Sequence, residues 1–345
     1  MTRVAIVGAT GAVGTTMLEL LRARGFPAEE IVPFASARSA GRRTSDGLTV
    51  QPLTTEADLT GFDLALFSAG STTSREWAPR FVEHGALVID NSSCWRMEPD
   101  VPLVVAEVNP EAVDSHRGII ANPNCSAMQA LVVLKPIHDA AGLERIVFSS
   151  YQSTSGTGAR AVQELKDQAH AILHEMEPPK PAVYPHPIAF NVLPQVEMFR
   201  DGDDYTTEER KVIAESRKIL GLPELRITAT CARVPVMNCH SESLNVETRS
   251  DLSPEQCREL LSRAPGVTVV DRPAEGRYPM ASEAAGHDEV FVGRIRRDES
   301  NSRTLNLWVV GDNLRKGAAT NAVQIAELAL QRGLLPNAAA ARPVS

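Results

Sequence analysis

Short apolar runs alternate with helix-period segments over the N-terminal part of the chain. The first apolar run, residues 3–8, ends in glycine as a buried parallel strand does, and residues 15–24 have the spacing of a helix. Further strands are predicted at 31–35, 63–67, 86–90 and 118–121, and further helices at 74–84 and 128–138. Strands that alternate with helices predict an α/β domain with a parallel, Rossmann-like sheet.

From residue 143 the pattern changes to longer strands mixed with amphipathic helices, which predicts an α+β domain with a mixed sheet. Strands are predicted at 145–152, 226–233, 238–247, 289–296 and 304–310, and helices at 159–175, 208–220 and 253–263. Five prolines make 177–187 an extended connection. A last helix, 313–333, is expected to return to the first domain, before an Ala/Pro-rich tail from residue 336. The predicted domains are therefore 1–127, joined by the C-terminal helix 313–335, and 128–312.

Composition excludes several classes of protein. The chain has 345 residues, 43% hydrophobic and 23% charged, as expected of two globular domains. A net charge of −8 without a basic cluster argues against a nucleic-acid partner. No apolar run reaches the roughly 18 residues of a membrane span, and the early first strand leaves no room for a signal peptide. Five cysteines without paired spacing predict free thiols in a reducing cytoplasm, and histidine spacing predicts no metal site.

A glycine-rich turn follows the first strand and precedes the first helix. Its spacing places Gly8, Gly11 and Gly14 three residues apart, a variant of the dinucleotide-binding pattern. In that pattern the pyrophosphate rests on the N-terminus of the helix. The turn therefore predicts a dinucleotide site, and the alternative is a glycine turn in another α/β fold.

The end of the second predicted strand bears on which dinucleotide binds. An NAD site usually places an acidic residue here to hold the ribose 2′-hydroxyl, whereas an arginine accommodates a 2′-phosphate. This chain has no acid here and offers Ser36, Arg38 and Ser39 instead. We therefore predict NADP as the cofactor, and the alternative is that Arg38 is a surface loop residue.

The segment 122–127, Asn-Pro-Asn-Cys-Ser-Ala, is the strongest candidate for chemistry. Asn124 is a good N-cap, so Cys125 falls in the first turn of the following helix. The positive end of the helix dipole lowers the pKa of a cysteine placed there and favours a nucleophilic thiolate. The alternative is that Cys125 is a buried small hydrophobe.

Other candidates lie near predicted strand ends or on one helix face. Gln152 ends a strand, and Arg96 lies in a loop beside a tryptophan, where an arginine can bind a phosphate or carboxylate. Glu208 and Lys211 are three residues apart on one helix face, as in an ordinary surface ion pair. Arg233 and His240 flank a break at Pro235; seven residues apart on one unbroken strand, they would face opposite sides.

Together these motifs resemble the aspartate-β-semialdehyde dehydrogenase family over nearly the whole chain. The matching segments are GATGAVG (8–14), SARSAG (36–41), SSCWRM (92–97), NPNCSAMQ (122–129), YQSTSGTG (151–158), TTEERK (206–211), CARVPVMNCHSES (231–243), FVGRIR (291–296) and GDNLRKGAATNAVQIAE (311–327). The resemblance implies NADPH-dependent reduction of L-aspartyl-4-phosphate to aspartate semialdehyde with release of phosphate, on the route to lysine, threonine and methionine. It also implies a homodimer or a tetramer of dimers.

The resemblance further implies a role for each candidate residue. Cys125 is similar to the nucleophile that forms an acyl-thioester, His240 to the general acid/base, Gln152 to the residue that orients the acyl group, and Asn124 to a helper beside the thiol. Arg233 resembles the clamp on the substrate α-carboxylate, Glu208 the partner of its ammonium, and Arg96 and Lys211 the phosphate site. The implied cofactor contacts are Thr10, Gly11, Ala12, Val13, Arg38, Ser39, Ser155, Gly156 and Asn313.

Two other functions stay open at this point. N-acetyl-γ-glutamyl-phosphate reductase shares the cofactor fold, the thiolate and the acyl-phosphate chemistry, but its substrate lacks a free ammonium, so Glu208 discriminates against it. An inactive relative that binds a dinucleotide as a sensor should have lost one of Cys125, Gln152, Arg233 or His240, and all four are present. The resemblance requires that the break between Pro235 and Asn238 bring Arg233 and His240 together.

Overall fold

The computed structural model describes residues 2–335, and the predicted tail from residue 336 lies outside them. The strands are β1 Thr2–Val7, β2 Ala28–Ala35, β3 Gln51–Pro52, β4 Leu64–Phe67, β5 Leu87–Asp90, β6 Ile119–Ala121, β7 Leu143–Gln152, β8 Arg226–Arg233, β9 His240–Thr248, β10 Val267–Val269, β11 Val290–Arg297 and β12 Thr304–Gly311. The α-helices are α1 Ala12–Ala23, α2 Ser71–Glu83, α3 Cys125–Ala141, α4 Ala159–Leu173, α5 Thr207–Leu220, α6 Pro254–Ser262, α7 Ala281–Ala284 and α8 Thr320–Gln331.

The chain divides into two compact units. The first contains the residues up to Asn124 and those from Ala318 onward, and the second is Cys125–Gly317. The chain passes from the first unit to the second after Asn124 and returns to the first at Ala318. Both boundaries lie a few residues from those predicted at 127/128 and 312/313. None of the helices in the described chain is long and apolar enough to cross a membrane.

The first unit is built on a six-stranded sheet in the order β3-β2-β1-β4-β5-β6. Every neighbouring pair in it is parallel, and the order reverses direction beside β1. This is the doubly wound arrangement that binds ligands beyond the carboxyl ends of its strands. The predicted α/β, Rossmann-like first domain is confirmed.

Both faces of this sheet are covered, which explains why its strands are apolar throughout. On one face the core includes residues of α1 and α8, among them Met17 and Val323, both fully buried. On the other face α2 brings Phe81 against strand residues; its ring meets those of Phe34 and Phe67 edge-on, with centroids 6.1 and 5.4 Å apart. Edge-to-face aromatic pairs add about 0.5–1.5 kcal/mol each beyond their buried area.

The second unit contains a mixed sheet in the order β10-β11-β12-β9-β7-β8. β7 pairs in parallel with β8 and antiparallel with β9, so β7 lies between them. The helices α3, α5 and α6 pack on the sheet, and buried residues alternate along β9 as expected when one face is covered. The predicted mixed sheet of an α+β second domain is confirmed.

Several predicted element ends were wrong. α1 begins at Ala12 and not at residue 15, and α2 at Ser71 and not at 74. In both cases the first turn carries small or polar residues, so the apolar period appears only later. The predicted helix 313–333 is two elements, a π-helical turn Arg315–Ala319 and then α8. Asp312 Oδ1 accepts the backbone N–H of Leu314 at 2.9 Å and that of Arg315 at 3.2 Å, as the side chain of a helix N-cap does, and the helical turns begin directly after it. The short elements β3, β10 and α7 were not predicted, because two to four residues carry too little periodicity.

Candidate active site

Cys125 is the first residue of α3, as the sequence predicts. Its sulfur lies 3.3 Å from Nε2 of His240, which is fully buried at the start of β9. At this distance the imidazole can stabilise a thiolate on Cys125. The backbone approaches closely here as well, since a Cβ added to Gly317 would lie 2.9 Å from the Cβ of Cys125.

Strand pairing assembles the residues around this pair. Gln152 at the end of β7 is the register partner of Arg233 at the end of β8. On the other side of β7, Tyr151 pairs with Ser241, and the next position of that register sets Gln152 beside His240. We call Arg233, Gln152 and His240 the catalytic row. The row shows how Arg233 and His240 converge, because they lie on different strands on either side of β7.

The loop after β7 contacts both ends of the catalytic row. A Cβ added to Gly156 would lie 3.2 Å from Nη1 of Arg233 and 3.2 Å from Cε1 of His240. Arg233 Nη1 donates to the carbonyl oxygen of Ser153 at 2.6 Å. A residue with a Cβ at position 156 would therefore force these two side chains to shift by a few tenths of an ångström.

The protonation of His240 follows from its surroundings. Burial, reinforced by the positive charge of Arg233, lowers the pKa of His240 to about 3, so the ring is neutral at physiological pH. Nδ1 accepts the backbone N–H of Ser153 at 3.0 Å. The hydrogen bond assigns the ring proton to Nε2, because a neutral imidazole carries only one. Nε2–H is therefore a donor directed at the Cys125 sulfur.

Gln152 and Glu208 are joined directly. Gln152 Nε2 donates to Glu208 Oε1 at 3.0 Å, and only 4% of Glu208 is exposed. Glu208 lies in the first turn of α5, whose start is held by a reciprocal capping box between Thr206 and Glu209. The capping box and the hydrogen bond together hold a carboxylate beside Gln152, the middle residue of the catalytic row.

Lys211 lies one helical turn beyond Glu208, on the same face of α5. Its Nζ is 3.9 Å from Glu208 Oε2 and also forms an ion pair with Glu197. About a quarter of the Lys211 side chain is exposed, so solvent screens these interactions. The predicted proximity of Glu208 and Lys211 is present.

Asn313 occupies the other end of the site in the second unit and is 3% exposed. Its Oδ1 accepts the Ser153 hydroxyl at 3.1 Å and the backbone N–H of Cys239 at 2.9 Å. Its Nδ2 donates to Ser155 Oγ at 2.9 Å. The structure therefore joins the predicted cofactor residues Ser155 and Asn313. Ser153 and Cys239 were missed by the sequence analysis because they act largely through backbone N–H and carbonyl groups, which leave no signal in residue type.

In the first unit, the glycine turn is closely packed. Gly8 has φ +94°, and a Cβ added there would lie 2.2 Å from the carbonyl oxygen of Ser68. A Cβ added to Gly14 would lie 2.3 Å from the carbonyl oxygen of Gly8. The turn leads directly into α1, so Thr10 and Gly11 precede the helix and Ala12 and Val13 begin it.

The candidate 2′-phosphate residues follow β2 in the same unit. A short 3₁₀ turn covers Ala37–Ser39, and Ser36 and Arg38 are exposed. The Arg38 side chain forms no hydrogen bond or ion pair within residues 2–335. Its guanidinium is therefore available to an anionic ligand.

Arg96 and Asn124 also belong to the first unit and are largely buried. Arg96 Nε donates to the carbonyl oxygen of Asn122 at 2.9 Å, and Nη2 to that of Asn91 at 2.8 Å. These bonds hold the guanidinium in a fixed orientation.

For metals, no group of three or more His, Cys, Asp or Glu side chains in the described part of the chain could hold an ion.

The chain is similar to known proteins over almost its whole length. Residues 3–116 match the family described as "Semialdehyde dehydrogenase, NAD binding domain", and residues 134–316 match "Semialdehyde dehydrogenase, dimerisation domain". The chain is similar to aspartate-semialdehyde dehydrogenase of Aquifex aeolicus, 54% identical over 96% of this chain and 99% of that protein. The Legionella pneumophila enzyme is 50% identical over 96% of each chain. The structure of aspartate semialdehyde dehydrogenase II from Vibrio cholerae complexed with ASA superposes with a TM-score of 0.92 at 46% identity, over 96% of this chain and 98% of that one.

Proposed function

Because the chain belongs to the aspartate-semialdehyde dehydrogenase family, we propose that it catalyses the NADPH-dependent reductive dephosphorylation of L-aspartyl-4-phosphate to L-aspartate-4-semialdehyde. The observation that carries this proposal is the 3.3 Å approach of the Cys125 sulfur to His240 Nε2 at the start of α3. A thiol at this position is suited to attack an acyl phosphate. The family places the chain among the oxidoreductases of amino-acid biosynthesis.

In the proposed reaction Cys125 attacks the acyl carbon as a thiolate and forms a C–S bond. The C–O bond to the phosphate breaks, phosphate leaves with the electron pair, and an acyl-thioester remains on Cys125. Bound NADPH supplies the hydride that reduces this thioester. His240, neutral with its proton on Nε2, stabilises the thiolate and donates to the oxyanion at each tetrahedral stage. Collapse of the second tetrahedral species releases the aldehyde and restores the Cys125 thiolate.

The residues beside this pair are suited to an amino-acid substrate. We assign Glu208 to the substrate ammonium and Arg233 to its α-carboxylate, since a carboxylate and a guanidinium complement these groups. Gln152, which already donates to Glu208, is assigned to orient the acyl group. Lys211 is assigned to phosphate. The roles of Arg96 toward phosphate and of Asn124 beside the thiol rest on the family resemblance.

Three observations on the first unit support NADP as the cofactor. The packed Gly8–Gly14 turn leads into α1, the first turn of α1 contains no acidic side chain, and Arg38 follows β2 in place of an acid. We assign Gly8, Thr10, Gly11, Ala12, Val13 and Gly14 to the dinucleotide and Ser36, Arg38 and Ser39 to the 2′-phosphate. In the second unit, the family resemblance assigns Ser155, Gly156 and Asn313 to cofactor contacts.

We also propose a pathway, a compartment and an oligomeric state for this enzyme. The reaction would serve lysine, threonine and methionine biosynthesis, with diaminopimelate on the lysine branch, in the cytoplasm. The match to a dimerisation domain supports a homodimer, and light scattering of the purified protein distinguishes a dimer from a tetramer.

Glu208 argues against N-acetyl-γ-glutamyl-phosphate reductase. An N-acetylated substrate has no ammonium to offer the buried carboxylate of Glu208, whereas an amino-acid substrate has one. The inactive sensor is disfavoured because Cys125 and the catalytic row are all present, with the sulfur and the imidazole within reach of each other.

The deciding experiment runs the reaction in reverse. Purified protein is given aspartate semialdehyde, phosphate and NADP, and NADPH is followed by its absorbance. We expect formation of NADPH that requires both the aldehyde and phosphate and is faster with NADP than with NAD. N-acetylglutamate semialdehyde is the matched control substrate. Turnover of that control alone would identify the rival reductase, and turnover of neither would favour the sensor.

A further inference from the structure

A second row of side chains lies directly beneath the catalytic row on the same face of the sheet. Ser150 pairs with Cys231 on one side and with Glu242 on the other. Each of the three is two residues from a member of the catalytic row, so strand alternation directs it to the same face. All three are buried. The proposed reaction gives this second row no role.

Glu242 is unusual in this row. It is fully buried, and neither of its carboxylate oxygens has a hydrogen-bond partner within the described residues. It also takes part in no ion pair there. An ionised carboxylate in such a place would lose its hydration without compensation, which costs far more than protonation. Burial accordingly raises the pKa of Glu242 well above its usual range.

A second unpartnered group approaches from the helix above the sheet. Gln129 lies one turn after Cys125 in α3, is fully buried, and has no partner for its amide oxygen or nitrogen within residues 2–335. A Cβ added to Gly311 of β12 would lie 2.9 Å from Gln129 Cδ, so the amide group lies against that strand. β12 pairs with β9, where Glu242 is the partner of Val309. Gln129 and Glu242 therefore both lie between α3 and the β9–β12 pair.

These two groups complement each other chemically. A carboxylic acid offers one O–H donor and one carbonyl acceptor, and an amide offers N–H donors and a carbonyl acceptor. Buried polar groups of this kind are normally satisfied, often by an ordered water that bridges them. Gln129 is fixed to the helix turn that carries Cys125, and Glu242 to the strand that carries His240.

We propose that Glu242 is a positioning residue: as an uncharged carboxylic acid bridged to Gln129 by an ordered water, it ties β9 to α3 and holds His240 Nε2 at its distance from Cys125. This rests on the proposed roles of Cys125 and His240 as the reacting pair. The absence of charge matters, because a carboxylate two residues from His240 would favour the imidazolium, whose protonated Nδ1 could no longer accept the backbone N–H of Ser153.

The charged and titratable groups around Glu242 come from several elements. The same row and the adjacent row of the sheet contribute Cys231 and Arg233 on β8 and His240 on β9, and Cys125 of α3 lies beside His240. The α5 carboxylates Glu208 and Glu209 act with Glu242 on Cys231, and burial raises the pKa of that thiol. An additional negative charge at Glu242 would repel these carboxylates, which also favours the protonated acid.

The test compares three variants: Glu242→Gln, Glu242→Leu and the control Glu247→Gln. Glu247 lies on the same strand as Glu242, and its carboxylate forms ion pairs with Arg226 and Arg303. We expect Glu242→Gln to keep kcat within about twofold, with an unchanged pH–rate profile, because it preserves shape, neutrality and hydrogen bonding. Glu242→Leu should lower kcat roughly tenfold to a hundredfold while KM for NADP is unchanged, and should shift the pH dependence of Cys125 alkylation. Loss of activity in Glu242→Gln, or an unaltered Glu242→Leu, would overturn the proposal.

Two measurements need no turnover, so they separate failure of this proposal from failure of the proposed function. Infrared spectra at neutral pH should contain the carbonyl band of a protonated carboxylic acid in the wild type and in Glu247→Gln, and lack it in Glu242→Gln. A crystal structure should place one water within hydrogen-bond distance of both Glu242 and Gln129. The lack of the band in the wild type, or of the bridging water, would overturn the proposal even if Glu242→Leu failed to fold.

Discussion

The side-chain oxygen of Asn313 accepts the backbone N–H of Cys239 at 2.9 Å, and Cys239 is held with φ +69° immediately before His240. A left-handed conformation is uncommon for a residue other than glycine and requires support from its surroundings. The same oxygen accepts the hydroxyl of Ser153, whose backbone N–H donates to His240 Nδ1. Asn313 therefore supports the orientation of His240 from both sides.

Replacement of Asn313 should impair catalysis through His240. We expect Asn313→Ala to lower kcat by about tenfold or more, because the imidazole loses its fixed orientation. Asn313→Asp keeps the accepting oxygen but loses the Nδ2 donor to Ser155, and should retain more activity. Steady-state kinetics with nitrogen NMR of the His240 ring would check both effects. If only KM for NADP changed while the ring tautomer stayed fixed, Asn313 would act on the cofactor alone.

Cys125→Ser should abolish turnover but leave NADPH binding nearly intact. A serine hydroxyl beside a neutral imidazole that already carries its proton on Nε2 cannot form the nucleophile. Cofactor binding by fluorescence titration and NADPH formation from aspartate semialdehyde are the two measurements. Cys94→Ser is the control, because Cys94 is a half-buried free thiol in the other unit. Wild-type rates in Cys125→Ser would refute the thioester mechanism.

Arg38→Ala should weaken NADP binding selectively. Loss of a charge-assisted bond to a phosphate costs about 1.5–3 kcal/mol, so KM for NADP should rise roughly tenfold to a hundredfold. KM for NAD should be almost unchanged, because NAD lacks the 2′-phosphate. Arg42→Ala, which removes another exposed arginine of the same loop, is the control. Equal effects on NADP and NAD would contradict the assignment of Arg38.

His240 should make stability depend on pH in a defined direction. Its folded-state pKa of about 3 lies below the unfolded value of about 6.5, so the unfolded chain binds more protons between these values. The contribution of His240 to the free energy of unfolding is therefore complete above about pH 6.5 and is lost as the pH falls toward 3. The slope of this loss is at most about 1.4 kcal/mol per pH unit. Urea unfolding between about pH 6.5 and 5 should show a smaller slope in His240→Asn than in wild type. His84→Asn, at an exposed position, is the control.

Gly14 and Gly11 should differ sharply in their tolerance of a methyl group. A Cβ at Gly14 would lie 2.3 Å from the Gly8 carbonyl oxygen, whereas a Cβ at Gly11 would lie 3.4 Å from that oxygen. We expect Gly14→Ala to destabilise the protein by about 1–3 kcal/mol or more, and Gly11→Ala by much less. Thermal unfolding of the two variants checks this. Equal midpoints would mean that the turn can move away from α1.

Local patterns along the chain were sufficient for several features. The glycine turn after a buried strand predicted the first βα unit, and the Asn-Pro-Asn-Cys segment placed Cys125 at a helix start, where α3 begins. The Gly8–Gly14 spacing and the absence of an acid after β2 led to the NADP prediction, which stays a prediction. These features depend on neighbours within a few residues, where periodicity, capping and backbone conformation are decided.

Only the tertiary structure decided which distant side chains meet. The seven-residue spacing of Arg233 and His240 predicts opposite faces on one strand, yet pairing on both sides of β7 brings them into one row with Gln152. The tautomer of His240 depends on a backbone N–H from Ser153, and the packing of α3 on the sheet leaves the polar atoms of Gln129 and Glu242 buried without a partner among the described residues. Strand order and helix docking are set by the burial of apolar surface across the whole second unit, and no short stretch of sequence contains that information.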